Sequence, residues 1–277
     1  MTPPGRTAFV LGGGGLLGAV EVGMLRALFE AGVRPDVLLG TSVGALNGAL
    51  VATDPGPGVV DRLLGLWESA ASSKEVYGDN PVRQVTRAVR TGTHLHSSRG
   101  LRERLGQELG DRTFADLAVE FQCCAASIER AAEHWFTEGR VVDAVVASAA
   151  VPGLLRPAVV DGEHYLDGGI VNSIPVGRAV EVGADRIFVL QVGRVDRPLV
   201  PPRKPWEVAR VSFEIARRHR FHREMAALPD AVTAHVLPTG GGLPGDDNLL
   251  SYRDFGGVMR RIDTAYRASA DYLAEHL

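Results

Sequence analysis

Cysteine is nearly absent from the 277 residues, which hold only Cys123 and Cys124, adjacent in the chain. Neighbouring cysteines have poor geometry for bridging one another, so a disulfide framework is excluded. Both lie in the apolar run 119–128 and read as small buried side chains. An excess of either charge is also missing. The net charge of -3 excludes nucleic-acid binding by general basicity, and no nucleic-acid partner is expected. No apolar run approaches the roughly 18 residues that a membrane-spanning helix requires. The opening residues Met1 to Arg6 lack the charged, apolar and cleavable parts of a signal peptide. The expectation is a soluble, cytoplasmic chain. Internal repeats at solenoid periods are likewise absent.

What is present is an ordinary globular composition, 45% hydrophobic and 23% charged, sufficient for one core with or without an added cap. Short apolar runs that suit buried strands alternate with segments of helical period, which predicts an α/β layer fold with a mostly parallel sheet and short hairpins added to it. Strands are expected near 9–11, 37–39, 119–128, 133–137, 158–160, 163–166, 186–192 and 232–237. The stretch 59–109 mixes helical pieces with loop signals and is expected as a cap over the site. After Pro201-Pro-Arg-Lys-Pro205 the chain continues as a long helix over 206–228, a last strand and a terminal helix from about Tyr252. The division expected is therefore 7–200 for the main domain and 201–277 for a mainly helical extension packed on it.

Two glycine-rich turns organise the sequence. Phe9-Val-Leu-Gly-Gly-Gly-Gly-Leu-Leu-Gly18 reads as a strand, a tight turn with bare amides and a helix start. Gly14 and Gly15 are the candidates for receiving an oxyanion, because negative charge collects on the carbonyl oxygen in acyl transfer and free N–H groups at a helix start stabilise it. The same glycines also fit close helix packing, and Gly13-x-Gly15-x-x-Gly18 matches the spacing of a dinucleotide site. That site expects an acidic residue after the second strand, where Gly40-Thr-Ser-Val-Gly44 stands instead. This second turn places Ser42 between glycines at a strand-to-helix bend, the way a strained nucleophile is presented.

A base is then required. The later histidines, His219, His222, His235 and His276, sit in helical or strand contexts that suit surface or packing roles. Asp167 ends a strand and is followed by Gly168 and Gly169, so its carboxylate can take the proton of Ser42 without histidine, or can simply be a turn aspartate.

Together, Gly13-Gly-Gly-x-x-Gly18, Gly40-x-Ser-x-Gly44 and Asp167-Gly-Gly169, with Ala147-Ser-Ala-Ala-Val-Pro-Gly153 between the last two, resemble the patatin-like phospholipase family over residues 7–192. The resemblance implies a three-layer α/β/α fold. It also implies a lipid acyl hydrolase, phospholipase A-like, that uses no cofactor and no metal. In that reading Ser42 is the nucleophile, Asp167 the base, Gly14 and Gly15 the oxyanion donors, and Gly13, Gly18, Gly40, Gly44, Gly168 and Gly169 the motif glycines. Family members often carry Arg or Lys before the last glycine of the first motif, and this chain has Leu17 there. The helix 206–228 carries Arg210, Arg217, Arg218, His219, Arg220, His222 and Arg223 interleaved with apolar residues. That pattern suits either peripheral contact with an anionic membrane or a solvated face whose apolar stripe packs on the domain. Two other functions share these motifs: a catalytically silent lipid-binding module, and a dinucleotide-binding oxidoreductase.

Overall fold

A computed structural model describes residues 5–72, 94–193, 195, 198–241 and 255–277. Strands β1 (Thr7–Leu11) and β2 (Val37–Thr41) are buried along their whole length, as apolar runs covered on both faces must be. β2 lies parallel to β1, with Ala8 opposite Val37 and Leu11 opposite Gly40. On the other side of β1 runs β9 (Arg186–Leu190), also parallel, and beyond it β10 (Thr233–Val236). The C-terminal segment thus contributes a strand to the same sheet.

Alternate residues of these strands feed two cores, as a period of two dictates. Phe9, Leu11, Leu38, Phe188 and Leu190 face one layer, built from α1 (Ala19–Glu30), α2 (Val43–Thr53), α3 (Gly58–Ser72), α4 (Arg99–Leu109), α5 (Val141–Ser148) and α8 (Phe255–His276). Ala8, Val10, Val37, Leu39, Ile187 and Val189 face the other, built from α6 (Val176–Glu181) and α7 (Pro205–Ala226). The result is the three-layer α/β/α arrangement around a mostly parallel sheet. Of the stretch expected as a cap, α3 and α4 bury Val59, Leu63, Leu105 and Leu109 in the first core, and residues 73–93 lie outside the described residues.

The remaining strands set up the site. β4 (Glu120–Ser127) pairs in parallel with β2 over Glu120–Cys124 and antiparallel with β5 (Ala132–Phe136) along its opposite edge. Where β2 ends, β8 (Glu163–Asp167) takes over the same edge of β4, running the other way, with Asp167 opposite Ala125. β7 (Ala158–Val160) forms a hairpin with β8 through Asp161-Gly162, both with positive φ. Two shorter strands, β3 (His94–His96) and β6 (Gly153–Leu155), pair with each other. Among the described residues no helix is long and apolar enough to cross a membrane.

Candidate active site

The register of β4 brings two strand ends together. Thr41, the last residue of β2, lies opposite Cys124, and Asp167, the last of β8, lies opposite the next residue, Ala125. Because β2 and β8 run toward each other along one edge, Ser42 and Asp167 meet head-on. The Ser42 hydroxyl donates to Asp167 Oδ2 at 2.5 Å, the length of a charge-assisted O–H···O bond.

Ser42 has φ 56° and ψ -119°, a conformation that costs a residue with a side chain about 1–3 kcal/mol. The surrounding backbone holds it there. A Cβ at Gly40 would lie 2.6 Å from Ala45 Cα, and one at Gly44 would lie 2.2 Å from the Leu11 carbonyl oxygen. The bend therefore approaches β1 more closely than any larger residue permits. The Ser42 amide donates to Ser148 Oγ at 2.8 Å, and Ser148 Oγ donates in turn to the Cys124 carbonyl at 2.6 Å. Helix α2 begins at Val43, so its positive end lies at the serine.

Asp167 is buried. Its Oδ1 accepts the Gly169 amide at 2.7 Å while Oδ2 takes the serine hydroxyl. Burial pushes its pKa up to about 6, against the opposing pull of the Ser42 and Gly169 hydrogen bonds. Gly168 is required by close approach, since a Cβ there would lie 2.1 Å from the Cys124 carbonyl oxygen. Thr41 Oγ1 donates to the Asn172 carbonyl at 2.8 Å and ties the end of β2 to the turn after Asp167.

The first glycine turn lies alongside. A Cβ on Gly13 would be 3.5 Å from Ser42 Cβ. The amides of Gly12 and Gly13 are spent on the carbonyls of Leu190 and Ser173, at 3.0 and 2.8 Å. Gly14 and Gly15 are exposed, and among the described residues no acceptor engages their N–H groups. Gly15, at φ 59°, turns the chain into a single 3-10 turn, Gly15–Gly18, and only then does α1 begin at Ala19. Gly18 packs against Val43, and its carbonyl accepts Asn47 Nδ2 at 3.0 Å.

A family model described as patatin-like phospholipase matches residues 9–180. The chain belongs to the patatin-like phospholipase family. The match spans Gly13 to Gly18, Gly40 to Gly44 and Asp167 to Gly169, the glycines and side chains just described. Lysophospholipase nte1 of Aspergillus terreus is 33% identical over 195 residues, which is 68% of this chain and 12% of that protein. The protein of the same name from Aspergillus niger is also 33% identical over 195 residues, with the same shares. The chain thus spans 12% of the length of these curated relatives. Among solved structures it is similar to VipD from Legionella pneumophila, with a TM-score of 0.48 at 14% identity over 99% of this chain and 67% of that one. The type III effector protein ExoU gives 0.37 at 16% identity, over 99% and 54%.

Several other positions in this patatin-like chain carry no chemistry of this kind. Cys123 and Cys124 are buried and free, and burial raises the pKa of both thiols. His235 lies on β10, three strands from β2, with its ring stacked 5.0 Å from Phe188 and Nδ1 3.3 Å from the Tyr272 hydroxyl. His219, His222 and His276 are exposed. Leu17 is half-buried against the first core.

Two features went unread in the sequence. Glu21 on α1 is fully buried beneath the glycine turn, where Asn47 Nδ2 donates to its Oε2 at 2.7 Å and, among the described residues, Oε1 has no hydrogen-bond partner. Burial raises its pKa well above the carboxylate range. The second is the orientation of α7. Phe221 packs into the second core and Arg217 is buried, while Val208, Phe213 and Ile215 are exposed. The helix therefore does not separate into an outer basic face and an inner apolar stripe.

Proposed function

We propose that the chain is a serine acyl hydrolase acting on lipid esters, with Ser42 as nucleophile and Asp167 as the sole base. The reading is carried by one observation: the 2.5 Å hydrogen bond from a strained, buried serine to a carboxylate whose pKa stands at about 6. A carboxylate at its ordinary pKa near 3.9 is a poorer proton acceptor at neutral pH than one raised by burial. At pH 7 Asp167 is mostly ionised and already accepts a hydrogen bond through the proton it has to take.

The steps follow from this geometry. As Ser42 Oγ bonds to the ester carbonyl carbon, its proton passes to Asp167 Oδ2. The carbonyl oxygen gains the negative charge, which the exposed amides of Gly14 and Gly15 and the positive end of α2 offset. Collapse breaks the ester C–O bond, and the departing alcohol takes the proton from Asp167. A water then gives its proton to Asp167 and bonds to the acyl carbon. The second collapse returns that proton to Ser42 Oγ and frees the fatty acid.

The relatives named as lysophospholipases and the rim of the site support this substrate class. Ile170, immediately after the Asp167 turn, is 41% exposed, and Phe213, whose ring packs on Gly169, is 40% exposed. Large apolar groups that stay in water beside an active site suit contact with acyl chains at a lipid surface. Arg223, exposed on the same helix, suits anionic headgroups, so the site would be used from the membrane surface.

Fluorophosphonate labelling with peptide mapping tests the reading, followed by hydrolysis assays on lysophosphatidylcholine micelles. The adduct is expected on Ser42 and absent from Ser42→Ala, with release of fatty acid from the micelles. Folded protein that takes up no probe, with and without micelles, is a binding module and not a hydrolase.

A further inference from the structure

Four side chains on one face of α7 grip the segment that follows the aspartate. Phe213 covers Gly169, where a Cβ would lie 3.0 Å from the ring. Arg217 Nε donates to Ser173 Oγ at 3.1 Å. Arg220 Nη1 donates to the Val171 carbonyl at 2.7 Å, and Glu224 Oε2 accepts the Gly177 amide at 2.8 Å. The positions 213, 217, 220 and 224 follow the helical repeat, so this is a single stripe along the helix.

Arg217 differs from the others in what lies behind its partner. Ser173 holds the glycine turn, because its carbonyl accepts the Gly13 amide at 2.8 Å and its Oγ would lie 3.2 Å from a Cβ on Gly13. On the other side of the guanidinium, Nη1 would lie 2.9 Å from a Cβ on Gly193. The residue before it, Val192, packs so closely under Gly14 that a Cβ there would lie 1.9 Å from Val192 Cγ2. Arg217 is thus wedged between the supports of Gly13 and Gly14, the two residues that lead the turn past Ser42.

Keeping a charge there costs stability. Arg217 is 5% exposed, and within the described residues its one ion-pair partner is Glu214 at 3.4 Å and its Nη2 has no hydrogen-bond partner. Burial lowers its pKa against the pull of Glu214. A long apolar side chain would fill the same volume without a desolvated, part-satisfied cation. Beside a turn that must meet developing negative charge, such a cation has a use.

We infer that Arg217 is a positioning residue for acyl transfer: it fixes the Gly13–Gly15 turn through Ser173 and sets a buried positive charge beside it. That charge comes from the C-terminal helix, while position 17 of the turn itself carries leucine. The inference rests on the serine-hydrolase reading above.

The test compares wild type, Arg217→Met, Arg217→Lys, Ser173→Ala and the double variant Arg217→Met/Ser173→Ala, using the water-soluble ester p-nitrophenyl butyrate and a fluorophosphonate. For each protein the probe gives both the number of reactive sites per molecule and the rate constant per site. Loss of one oxyanion-hole donor costs about 10²–10³ in kcat, so displacing the turn that carries two should lower kcat and the per-site rate about tenfold or more in Arg217→Met. KM should stay within about twofold, because the ground-state ester does not use these groups. Ser173→Ala should show a comparable loss, the double variant little beyond it, and Arg217→Lys a partial return. Per-site rates unchanged in both single variants overturn the inference, as does a loss confined to the number of reactive sites, which marks a purely structural role. Wild-type protein that takes up no probe overturns the hydrolase reading, and this inference with it.

Discussion

From β10 through β9, β1 and β2 to β4 every neighbouring pair of strands is parallel, whereas the pairs that β4 makes with β5 and β8, and β8 with β7, are antiparallel. In the parallel half β1 and β2 are buried along their whole length, and their ends deliver the glycine turn and Ser42. The antiparallel half is more polar and more exposed, and it returns β8 so that Asp167 arrives from the opposite direction. In a wholly parallel sheet the C-terminal strand ends line up side by side, about 4.8 Å apart. A head-on meeting of two C-terminal ends needs one strand that runs backward. The seam between the halves, on a single edge of β4, is where that happens.

Removing the contribution of the antiparallel half gives the largest effect. Asp167→Asn leaves the bend at Ser42 intact, and turnover should fall by about 10²–10⁴, the usual worth of a positioned base. Near-normal hydrolysis by the folded variant would break the pairing of serine with aspartate. The same substitution should stabilise the protein. The folded-state pKa of about 6 lies above the unfolded value near 3.9, so stability from protonated Asp167 is present below about pH 4 and is lost as the pH rises through about 6. At pH 8 the asparagine variant should therefore be more stable by about 2–3 kcal/mol, with the gap closing toward pH 4, as read by urea unfolding.

The glycines of each half come next. Gly44→Ala sets a carbon 2.2 Å from the Leu11 carbonyl oxygen, and Gly168→Ala sets one 2.1 Å from that of Cys124. Each should cost about 2 kcal/mol or more in urea unfolding. Gly65→Ala in α3, where the added carbon meets nothing within 4 Å among the described residues, should instead stabilise by about 0.5–1 kcal/mol. An equal cost at all three positions would remove the case for close approach at the seam.

The smallest effect is the titration. In wild type, kcat/KM should fall about tenfold per pH unit below about 6 and level off above it, as Asp167 loses its proton and becomes able to accept another. A profile flat down to pH 4 would mean that the carboxylate is not the group whose ionisation governs the rate.

Much of this frame was legible in the residues. Alternating apolar runs and helical segments announced the layered α/β fold, and the bend at Ser42 followed from two flanking glycines. The helix after the first turn starts later than its apolar pattern indicates, at Ala19, because the left-handed Gly15 leads into a 3-10 turn first. Thr41 and Ser173 gave no signal, and Ser148 was read only as part of the stretch 147–153, with no role of its own. Each is an ordinary small polar residue whose value lies in a partner far along the chain: Asn172 for Thr41, Ser42 for Ser148, and Arg217 for Ser173. Glu21 gave none either, since a single acid within an apolar helix looks the same whether it faces water or the core.

By itself the sequence determined what is local: where strands give way to turns, which turn carries a bare hydroxyl, which carries spare amides, and which ends in a carboxylate. These depend on backbone freedom and side-chain chemistry within a few residues. Only the tertiary structure decided that the hydroxyl and the carboxylate meet, that burial lifts Asp167 to about 6, and that an arginine 50 residues beyond it is walled in behind the glycine turn. Those outcomes depend on strand register and on exclusion of water, and both are set by pairing between segments remote in the chain.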